Sequence, residues 1–298
     1  MTTRKYVDVQ VGEHRFRGLL LDDKAPAAAE SLWKQLPVSA TMTLDLWSGY
    51  ITRAHLSARL EADDADAVVA LPHPGLIAWD PRNGDLAVCF GQGRLRDGLG
   101  PLPTYPLVQV GGDLSALARV GSNVQYGGSV AIGIRRSDDQ ATPLQPQPKE
   151  SSVDLVLQLG EAQAVASLLT SSAPVAAASF RAALPLLGSA TSTFLSGPLI
   201  RYRATGESSE APLDLRVGDE DARHQVMWPG YIYYRPEKPR GLRITTTEGA
   251  IMADLGGRVT DVIPVARLDD VPEQFKAAAR GVVVGGRTTL SISLRSSL

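Results

Sequence analysis

The strongest signal along the chain is a period-two alternation of apolar and polar residues. Val7, Val9 and Val11 alternate with polar neighbours, and a glycine at position 12 leads into a second alternating run. Such alternation predicts half-buried β-strands that are joined in a hairpin. Strands dominate the first half of the chain, and the predicted ones are 5–11, 14–21, 41–46, 50–60, 75–79, 85–90, 107–110 and 129–135.

Two stretches of the first half have helical spacing instead. Apolar residues recur at helical intervals after Pro26, and proline is tolerated in a first helical turn because its missing N–H would have no partner there. This predicts one main helix at 26–36, directly after the first hairpin, with Asp23 as an expected N-cap and Pro37 as its stop. A shorter helix is predicted near 113–120.

The whole pattern occurs twice. A shift of 148 residues aligns 7–53 with 155–201 without a gap, and 16 of the 47 aligned positions are identical. Roughly three identities would be expected by chance at ordinary amino-acid usage. The identities fall at turns, at helix starts and at strand ends, and Arg53 is matched by Arg201. An internal duplication of this kind predicts two copies of one fold.

The two copies are separated by a segment of different composition. Residues 137–152 contain three prolines and no apolar periodicity, which is typical of an extended linker. We therefore predict one domain at 1–136, a linker at 137–152 and a second domain at 153–298. Many short strands with a helix after the first hairpin predict a mainly β (α+β) fold with two barrels in tandem.

Several short motifs recur in both copies and point to a family. The first half has Asp23-Lys24-Ala25-Pro26 and Trp47-Ser48-Gly49, and the second has Ala173-Pro174, Leu195-Ser196-Gly197 and Tyr233-Tyr234-Arg235-Pro236. These motifs resemble cyclophilins and, more closely, bacterial cyclophilin-like proteins of unassigned function. The resemblance covers most of both halves and implies cyclophilin-like β-barrels. It says little about function, because one fold supports many chemistries.

The same resemblance singles out one arginine in each copy. Cyclophilins have an arginine on the strand after the helix, and Arg53 and Arg201 occupy that strand here. Neither is followed by the Phe-x-x-Gln-Gly-Gly run of the isomerases, so we do not expect prolyl isomerase activity. A guanidinium is a rigid fork that suits a carboxylate or an amide oxygen, which makes both arginines candidate ligand-binding residues. The alternative is an arginine that pairs across the sheet.

The second half also concentrates aromatic and basic residues. Flat aromatic rings beside guanidinium and imidazole groups suit a small planar or anionic ligand. The first half keeps only Trp79 of this aromatic set, so if one copy binds a ligand and the other is structural, we expect the second half to bind it. The alternative is an ordinary strand, because tyrosine favours half-buried sheet positions. The predicted ligand-binding residues besides Arg53 are Arg201, Arg203, Trp228, Tyr231 and Tyr233, and the wider cluster adds Tyr202, His224, Tyr234 and Arg235.

Other reactive residues give weaker signals. His55 and His224 are candidate general bases, and a surface or packed histidine is the alternative for each. The four histidines lack metal-ligand spacing, so we expect no metal and no cofactor. We expect Cys89 to be a buried apolar residue, and Gly91-Gln92-Gly93-Arg94 to be a hairpin rather than a phosphate loop. The acidic runs near 61–66 and 219–221 are expected to be solvated loops.

Overall composition narrows the possible partners and compartment. The net charge is −2, which predicts no attraction to nucleic acid or to anionic membranes. Cys89 is the single cysteine, so no disulfide can form within the chain. No apolar run approaches the roughly 20 residues that span a bilayer, and no signal peptide is apparent. We expect a cytoplasmic protein.

Two functions remain open at this point. The first is a binding protein for a small anionic or amide-containing molecule, with its site at a barrel mouth or between the domains. The second is a cofactor-independent hydrolase or isomerase of a small carbonyl or amide compound. A histidine or carboxylate within hydrogen-bond reach of Arg53 or Arg201 would favour the enzyme. Duplication also predicts that the halves pack as an internal pseudo-dimer, and further homo-oligomerisation stays open.

Overall fold

Two closed barrels follow one another along the chain. The computed structural model describes residues 4–57, 59–97, 100–192, 199–204, 213–237, 240–247, 249–251 and 259–295. The chain divides into two compact units, Met1–Pro148 and Lys149–Leu298, and each unit contains one barrel of eight strands. The prediction of two mainly β barrels in tandem, with helices attached, is confirmed. The contact expected between the two halves stays a prediction.

The first barrel has the eight strands that the alternation predicts. In chain order they are β1 (Tyr6–Val11), β2 (His14–Leu20), β3 (Val38–Leu44), β4 (Gly49–His55), β5 (Leu76–Asp80), β6 (Asp85–Gly93), β9 (Tyr105–Val110) and β10 (Ser129–Arg136), while β7 (Arg96–Asp97) and β8 (Gly100–Pro101) form a separate ribbon. The barrel order is β1-β10-β3-β4-β6-β5-β9-β2, with antiparallel neighbours throughout. Because β2 pairs back with β1, no strand edge is left open.

The second barrel repeats this topology strand by strand. Its strands are β11 (Asp154–Leu159), β12 (Ala162–Leu168), β13 (Leu186–Ser192), β14 (Leu199–Ala204), β16 (Tyr231–Arg235), β17 (Gly241–Thr245), β19 (Ile263–Asp270) and β20 (Arg287–Leu294), with β15 (Val226–Met227) and β18 (Ala250–Ile251) as a separate pair. Their order in the barrel is β11-β20-β13-β14-β17-β16-β19-β12. It is the same as in the first barrel when each strand is matched with its equivalent. Each outer position of one barrel therefore has a counterpart in the other.

Each barrel carries two helices, and the later one is longer than predicted. The helices are α1 (Pro26–Gln35), α2 (Ser115–Gly127), α3 (Pro174–Ala182) and α4 (Glu273–Gly285). The helix predicted near 113–120 continues to Gly127. Gly121 lies inside this helix and packs directly on the ring of Phe90, which leaves no room for a side chain at position 121. A glycine that signals a helix end in sequence is here a packing contact. No helix in the described ranges is long and apolar enough to cross a bilayer.

The acidic runs contain the residues that cap the first helix of each barrel, which corrects two expectations. Asp66 accepts hydrogen bonds from the N–H groups of Ala27 and Ala28 at 3.0 and 2.9 Å. Asp221 does the same for Val175 at 2.9 Å and for Ala176 at 3.2 Å. Both carboxylates are buried rather than solvated, and the side chain of Asp23 makes no cap hydrogen bond. The cap comes from a distant loop, so local sequence does not reveal it.

Strand alternation gives every barrel an inner and an outer face. The inner face of the second barrel packs Ile200, Tyr202, Tyr234 and Leu242 into one apolar core with the helices. A smaller cluster lies on the outer face of β14, β16 and β17, and its buried members are Leu199, Met227, Tyr233, Ala250 and Val262. The first barrel has an equivalent outer cluster of Ile51, Ala78, Ala87, Cys89, Leu95 and Leu102. The candidate site lies on this outer face.

The predicted linker at 137–152 contacts the barrels at both of its ends. Gln140 exchanges two hydrogen bonds with the backbone of Tyr6, at 2.8 and 2.9 Å. Glu150 accepts hydrogen bonds from the N–H and the hydroxyl of Ser172, at 2.9 and 2.7 Å. The boundary between the two compact units falls inside this segment, between Pro148 and Lys149.

Candidate functional site

Arg53 lies on the outer face of the first barrel and is surrounded by carboxylates. Its Nε donates to Asp45 Oδ2 at 2.6 Å and its Nη1 donates to Asp80 Oδ2 at 2.8 Å, while Asp85 Oδ2 lies 3.9 Å from Nη1. Burial alone lowers the pKa of Arg53, but hydrogen bonds and charges from Asp45 and Asp80 outweigh it and raise the pKa. The charge of Arg53 is therefore balanced by the protein itself.

His55 and the buried carboxylates complete this network. His55 Nδ1 lies 3.0 Å from Asp85 Oδ1, and its side chain is 71% exposed. Asp80 also accepts a hydrogen bond from Asn83 Nδ2 at 2.8 Å and is fully buried. Carboxylates thus lie within reach of Arg53, as the enzyme hypothesis requires. They are, however, already bound to donors of the protein, which is the arrangement of a structural ion pair.

The equivalent positions of the second barrel carry different charges. Thr191, Arg201, Arg243 and Tyr233 are direct neighbours across β13, β14, β17 and β16. Arg201 and Arg243 therefore stand opposite each other on adjacent strands, which is unfavourable for like charges. The corresponding row of the first barrel is Thr43, Arg53, Ala87 and Ala78.

The next outer row shows a larger change. Ser189 stands opposite Arg203, and Gly241 stands opposite Arg235. Arg203, Gly241 and Arg235 replace the first barrel's His55, Asp85 and Asp80. The third carboxylate, Asp45, aligns with position 193, which lies outside the described residues. Two of the three carboxylates around Arg53 are thus replaced by an arginine and a glycine around Arg201.

The pKa values follow this change in charge. Arg243 is 1% exposed, and burial together with the guanidinium groups of Arg201, Arg235 and Arg203 lowers its pKa to about 9. The pKa of Arg201 is also lowered, by burial first and then by Arg203 and Arg235. Its counterpart Arg53 has its pKa raised. The outer face of the second barrel therefore holds a concentrated positive charge, part of which is buried.

Three buried polar atoms lie on the strands that carry these arginines. Within the described residues, Ser189 Oγ, Thr191 Oγ1 and Arg201 Nε are buried and make no hydrogen bond. A buried polar group left unpaired costs about 1–3 kcal/mol, so such groups mark a place where a partner is expected. A Cβ built on Gly241 would lie 3.7 Å from Arg243 Nη1, so the guanidinium reaches the position that Asp85 takes in the first barrel. We call the following set the arginine site: Ser189, Thr191, Arg201, Arg203, Arg235 and Arg243.

An aromatic cluster of His224, Trp228, Tyr231 and Tyr233 adjoins the arginine site. The ring centroids lie 4.6 Å apart for His224 and Trp228, 5.7 Å for Trp228 and Tyr231, and 5.8 Å for Tyr231 and Tyr233. Tyr231, Tyr233 and Arg235 alternate along β16, so all three lie on its outer face. Trp228 and Tyr231 are half-buried, which leaves aromatic surface beside the guanidinium groups.

His224 is a neutral group at ordinary pH. Burial lowers its pKa to about 4, and its Nδ1 makes no hydrogen bond within the described residues. The indole N–H of Trp228 is likewise buried and without a partner there. The aromatic cluster therefore has two further polar groups, Nδ1 of His224 and the indole N–H of the adjacent Trp228.

The structure brings together most of the residues that the sequence singles out. Tyr202 and Tyr234 are separated from the cluster, because they occupy inward positions of their strands and pack in the barrel core. Sequence reasoning missed Arg243, Ser189 and Thr191. The alternation around Leu242 places Arg243 on the outer face, and Thr191 matches Thr43 across the repeat, so both signals were present.

Several other polar or reactive residues are buried, hydrogen-bonded or part of a strand. Burial raises the pKa of Cys89 to about 12, which leaves its thiol protonated. The hydroxyl of Ser48 donates to the backbone carbonyl of Arg96 at 3.1 Å, and Ser196 lies outside the described residues. Gly91 and Gly93 belong to β6, so this run is not a phosphate loop. His73 is bound to Gln109, and its pKa is lowered by burial.

An open groove of about 600 Å³ lies between α4 and the β11–β12 turn. Its lining is mainly glycine and apolar residues, and Glu161 and Arg287 contribute charges of opposite sign. None of its lining residues has a buried side-chain donor without a hydrogen-bond partner, whereas Ser189, Thr191 and Arg201 each have one in the part of the chain that the structure describes. We therefore place the candidate site on the outer face of β14, β16 and β17.

Comparisons with known proteins give only weak similarities. No family model and no curated protein matches the chain. A structure of McbB in complex with tryptophan matches with 19% identity and a TM-score of 0.38, over 49% of this chain and 48% of that chain, so the match spans about half of McbB. The solution structure of the hypothetical protein AF2241 from Archaeoglobus fulgidus matches with 10% identity and a TM-score of 0.33, over 46% of this chain and 98% of that one. Neither similarity is strong enough to carry an argument about this chain.

Proposed function

We propose that this chain is a small-ligand-binding protein of cyclophilin-like fold whose site is the outer face of the second barrel. The ligand lies where the arginine site meets the aromatic cluster. One observation carries the proposal: the Asp80 and Asp85 positions around Arg53 are occupied by Arg235 and Gly241 around Arg201. In the first barrel Asp45 and Asp80 pair with Arg53. In the second barrel Arg201 Nε, Ser189 Oγ and Thr191 Oγ1 are buried and make no hydrogen bond within the described residues, so a ligand can bind them.

The proposal moves the site from the barrel mouth to the outer face. The inward positions of β14, β16 and β17 are filled by apolar and tyrosine side chains, which leaves the arginines on the opposite side of the sheet. Arg53 is left out of the proposed site because its Nε and Nη1 already donate to Asp45 and Asp80. We assign the first barrel a structural role and the second barrel the binding role.

An enzyme remains the second candidate, on a separate observation. His55 is held by Asp85 through Nδ1, which leaves Nε2 of an exposed imidazole available as a base. In the second barrel the neutral His224 offers a base next to the arginine site. Either histidine supports a cofactor-independent hydrolase or isomerase, and a test for turnover separates this function from binding alone.

The test of binding is a thermal-shift screen of the full chain. The panel contains small aromatic and aliphatic carboxylates, phosphorylated compounds, amides, cyclic imides and proline peptides. A ligand at 100 times its Kd stabilises the folded protein by about 2.7 kcal/mol, which is readily seen. We expect a hit that Arg201→Gln abolishes and Arg280→Gln, an exposed control on α4, retains. Hits that survive Arg201→Gln, or no hit at all, would contradict the proposed site.

Turnover is measured on the same hits. Each hit is incubated with the wild-type chain and with His55→Gln and His224→Gln, and the compound is followed by mass spectrometry. An unchanged compound supports binding alone. A product that disappears with one histidine variant would replace the binding proposal by the enzyme.

A further inference from the structure

We infer that two copies of this chain associate through the groove beside α4, with the two α4 helices antiparallel about a two-fold axis. The inference goes beyond the proposed ligand site, because the groove is formed by other elements. Its lining residues belong to β11, β12, α4 and β20, whereas the arginine site lies on β13, β14, β16 and β17.

The groove is open in its middle because side chains there are smaller than in the first barrel. α2 and α4 are both 13 residues long and both end at a glycine cap, so their positions can be matched one by one. The lining residues that are smaller than their equivalents are Ala162, Ala278 and Gly281, and the first barrel has His14, Val120 and Asn123 at these positions. Gln274 and Arg287 are larger than their equivalents, and they lie at the two ends of α4.

No contact within the described residues accounts for Gly281. Glycine is the least favourable helix residue apart from proline, and Gly281 lies four residues before the end of α4. Gly121 of α2 is different, because a side chain there would meet the ring of Phe90. A Cβ placed on Gly281 would meet no atom of the described residues within 4 Å. Glycine at such a point suits the close approach of another backbone from outside.

Val284 supplies a side chain that fits this space. It follows Gly281 by three positions, so both lie on one side of α4, and Val284 is 90% exposed. When two α4 helices lie antiparallel about a two-fold axis, Val284 of each copy packs against Gly281 of the other. An apolar side chain and a gap one turn apart on one helix are complementary to each other, as an isologous interface requires.

The charges at the groove are complementary in the same way. Glu161 and Arg287 both line the groove, both are exposed, and neither forms an ion pair within the described residues. The β11–β12 turn, which carries Glu161, is hydrogen-bonded to the beginning of β20, which carries Arg287. Both charges therefore lie near the C-terminal end of α4, where the axis passes. In the dimer Glu161 of one copy faces Arg287 of the other, and the pairing occurs twice.

A second copy suits the groove better than a small molecule does. The groove is open, and no residue of its lining has a buried polar side-chain atom without a partner in the part of the chain that the structure describes. α4 is about 20 Å long, so one pair of these helices buries less area than a permanent dimer needs. We therefore expect a weak and reversible dimer.

The experiment is sedimentation equilibrium of the full chain from about 1 to about 500 µM, at low and at high salt. We expect the mass to rise from monomer to dimer, and the association to weaken at high salt because ion pairs contribute to it. A monomer at every concentration would overturn the inference. A mass that rises past the dimer would also overturn it, since a two-fold contact closes at two copies.

Two variants test the contact between the helices. Val284→Asp places a charge in it, and Gly281→Asn copies the first barrel. Each is expected to weaken the dimer by about tenfold or more. The matched control is Tyr126→Asp, because Tyr126 is the equivalent of Val284 on α2 and is 88% exposed. It should associate as the wild type does. Unchanged association of Val284→Asp, or equal weakening by Tyr126→Asp, would contradict the assigned surface.

A charge exchange tests the pairing between the copies. Glu161→Arg and Arg287→Glu each bring like charges together and are expected to weaken the dimer by about fivefold. The double variant restores the opposite charges and should associate as the wild type does. Glu13→Arg, in the equivalent turn of the first barrel, should have no effect. If the double variant associates no better than the single ones, the two-fold arrangement is wrong. Circular dichroism checks that every variant is folded.

Discussion

Arg53 and Arg201 occupy the same position in two copies of one barrel, yet the groups around them carry opposite charge. Arg53 is held by two buried aspartates, and Arg201 is next to three further arginines. A single guanidinium therefore tells little about its own role. The residues that surround it on the neighbouring strands decide whether an arginine at this position forms an ion pair within the fold.

His224 gives a prediction at the residue scale. Its pKa in the folded barrel is about 4, below the ordinary value of 6.5, so the unfolded chain binds the proton more readily. The stability that His224 contributes is fully present above pH 6.5 and is lost as the pH falls towards 4. Between pH 7 and pH 5 we expect a loss of about 1–2 kcal/mol that His224→Gln removes.

The measurement is urea unfolding of the wild type and of the variant at both pH values. Arg280→Gln at an exposed position of α4 provides the control and should lose as much stability as the wild type, because arginine does not titrate in this range. If His224→Gln and the wild type lose equal stability between pH 7 and pH 5, His224 is not buried in its neutral form.

At the scale of elements, the helix caps make a second prediction. Asp66 and Asp221 each bind two N–H groups at the start of the first helix of their barrel, from a loop about 40 residues away in sequence. Asp221→Ala should lower the free energy of unfolding of the second barrel by about 1–3 kcal/mol, because a cap is lost and helix donors are left unpaired.

Asp219→Ala is the matched control for this cap. Asp219 is exposed in the same acidic run, and its loss should change stability by less than about 0.5 kcal/mol. Denaturant unfolding of both variants checks the difference. Similar effects for the two aspartates would mean that the contact between Asp221 and the helix contributes little.

The elements were predictable where the pattern is local. Strands such as β1 follow from period-two alternation, because one face lies in the core and the other is more exposed. β5 is buried along its whole length, so its apolar run does not alternate. The extent of α2 did not follow, since Gly121 is required by the ring of Phe90 and not by a turn. The caps did not follow either, because a carboxylate that reaches across the fold leaves no signature next to the helix it binds.

At the scale of the whole molecule, the difference in charge between the two barrels makes a third prediction, because Arg243 is repelled by Arg201, Arg235 and Arg203. Arg235→Asp places a carboxylate where the first barrel has Asp80 and gives Arg201 an ion-pair partner. We expect this variant, without ligand, to raise the free energy of unfolding of the second barrel by about 1–2 kcal/mol, seen as a Tm higher by a few degrees.

The same variant should no longer be stabilised by a ligand of the proposed site, found in the thermal-shift screen. The wild type gains stability from the ligand and the variant gains it from the new ion pair, so the two effects should not add. A variant that is less stable than the wild type, with ligand binding unchanged, would show that repulsion among these arginines is not what the ligand relieves.

Candidate residues were predictable from the sequence only in part. Arg201, Arg203 and the aromatic cluster stood out because they are unusual residues close together in sequence. Arg243 lies 42 residues after Arg201, and only the pairing of β14 with β17 places them side by side. The replacement of Asp80 and Asp85 by Arg235 and Gly241 could be recognised only from the strand register of both barrels. An alignment of the two halves that contains gaps does not give this register.

Alternation along the strands has a consequence for how such a protein diversifies. Because inward and outward residues are interleaved one by one, the eight outer positions of the two rows can be exchanged while every core residue stays in place. A duplicated gene can then explore new recognition surfaces in one copy with little risk to folding, while the other copy preserves the older solution. In the two halves of this chain the strand order is the same, while the residues in these outer rows differ in charge.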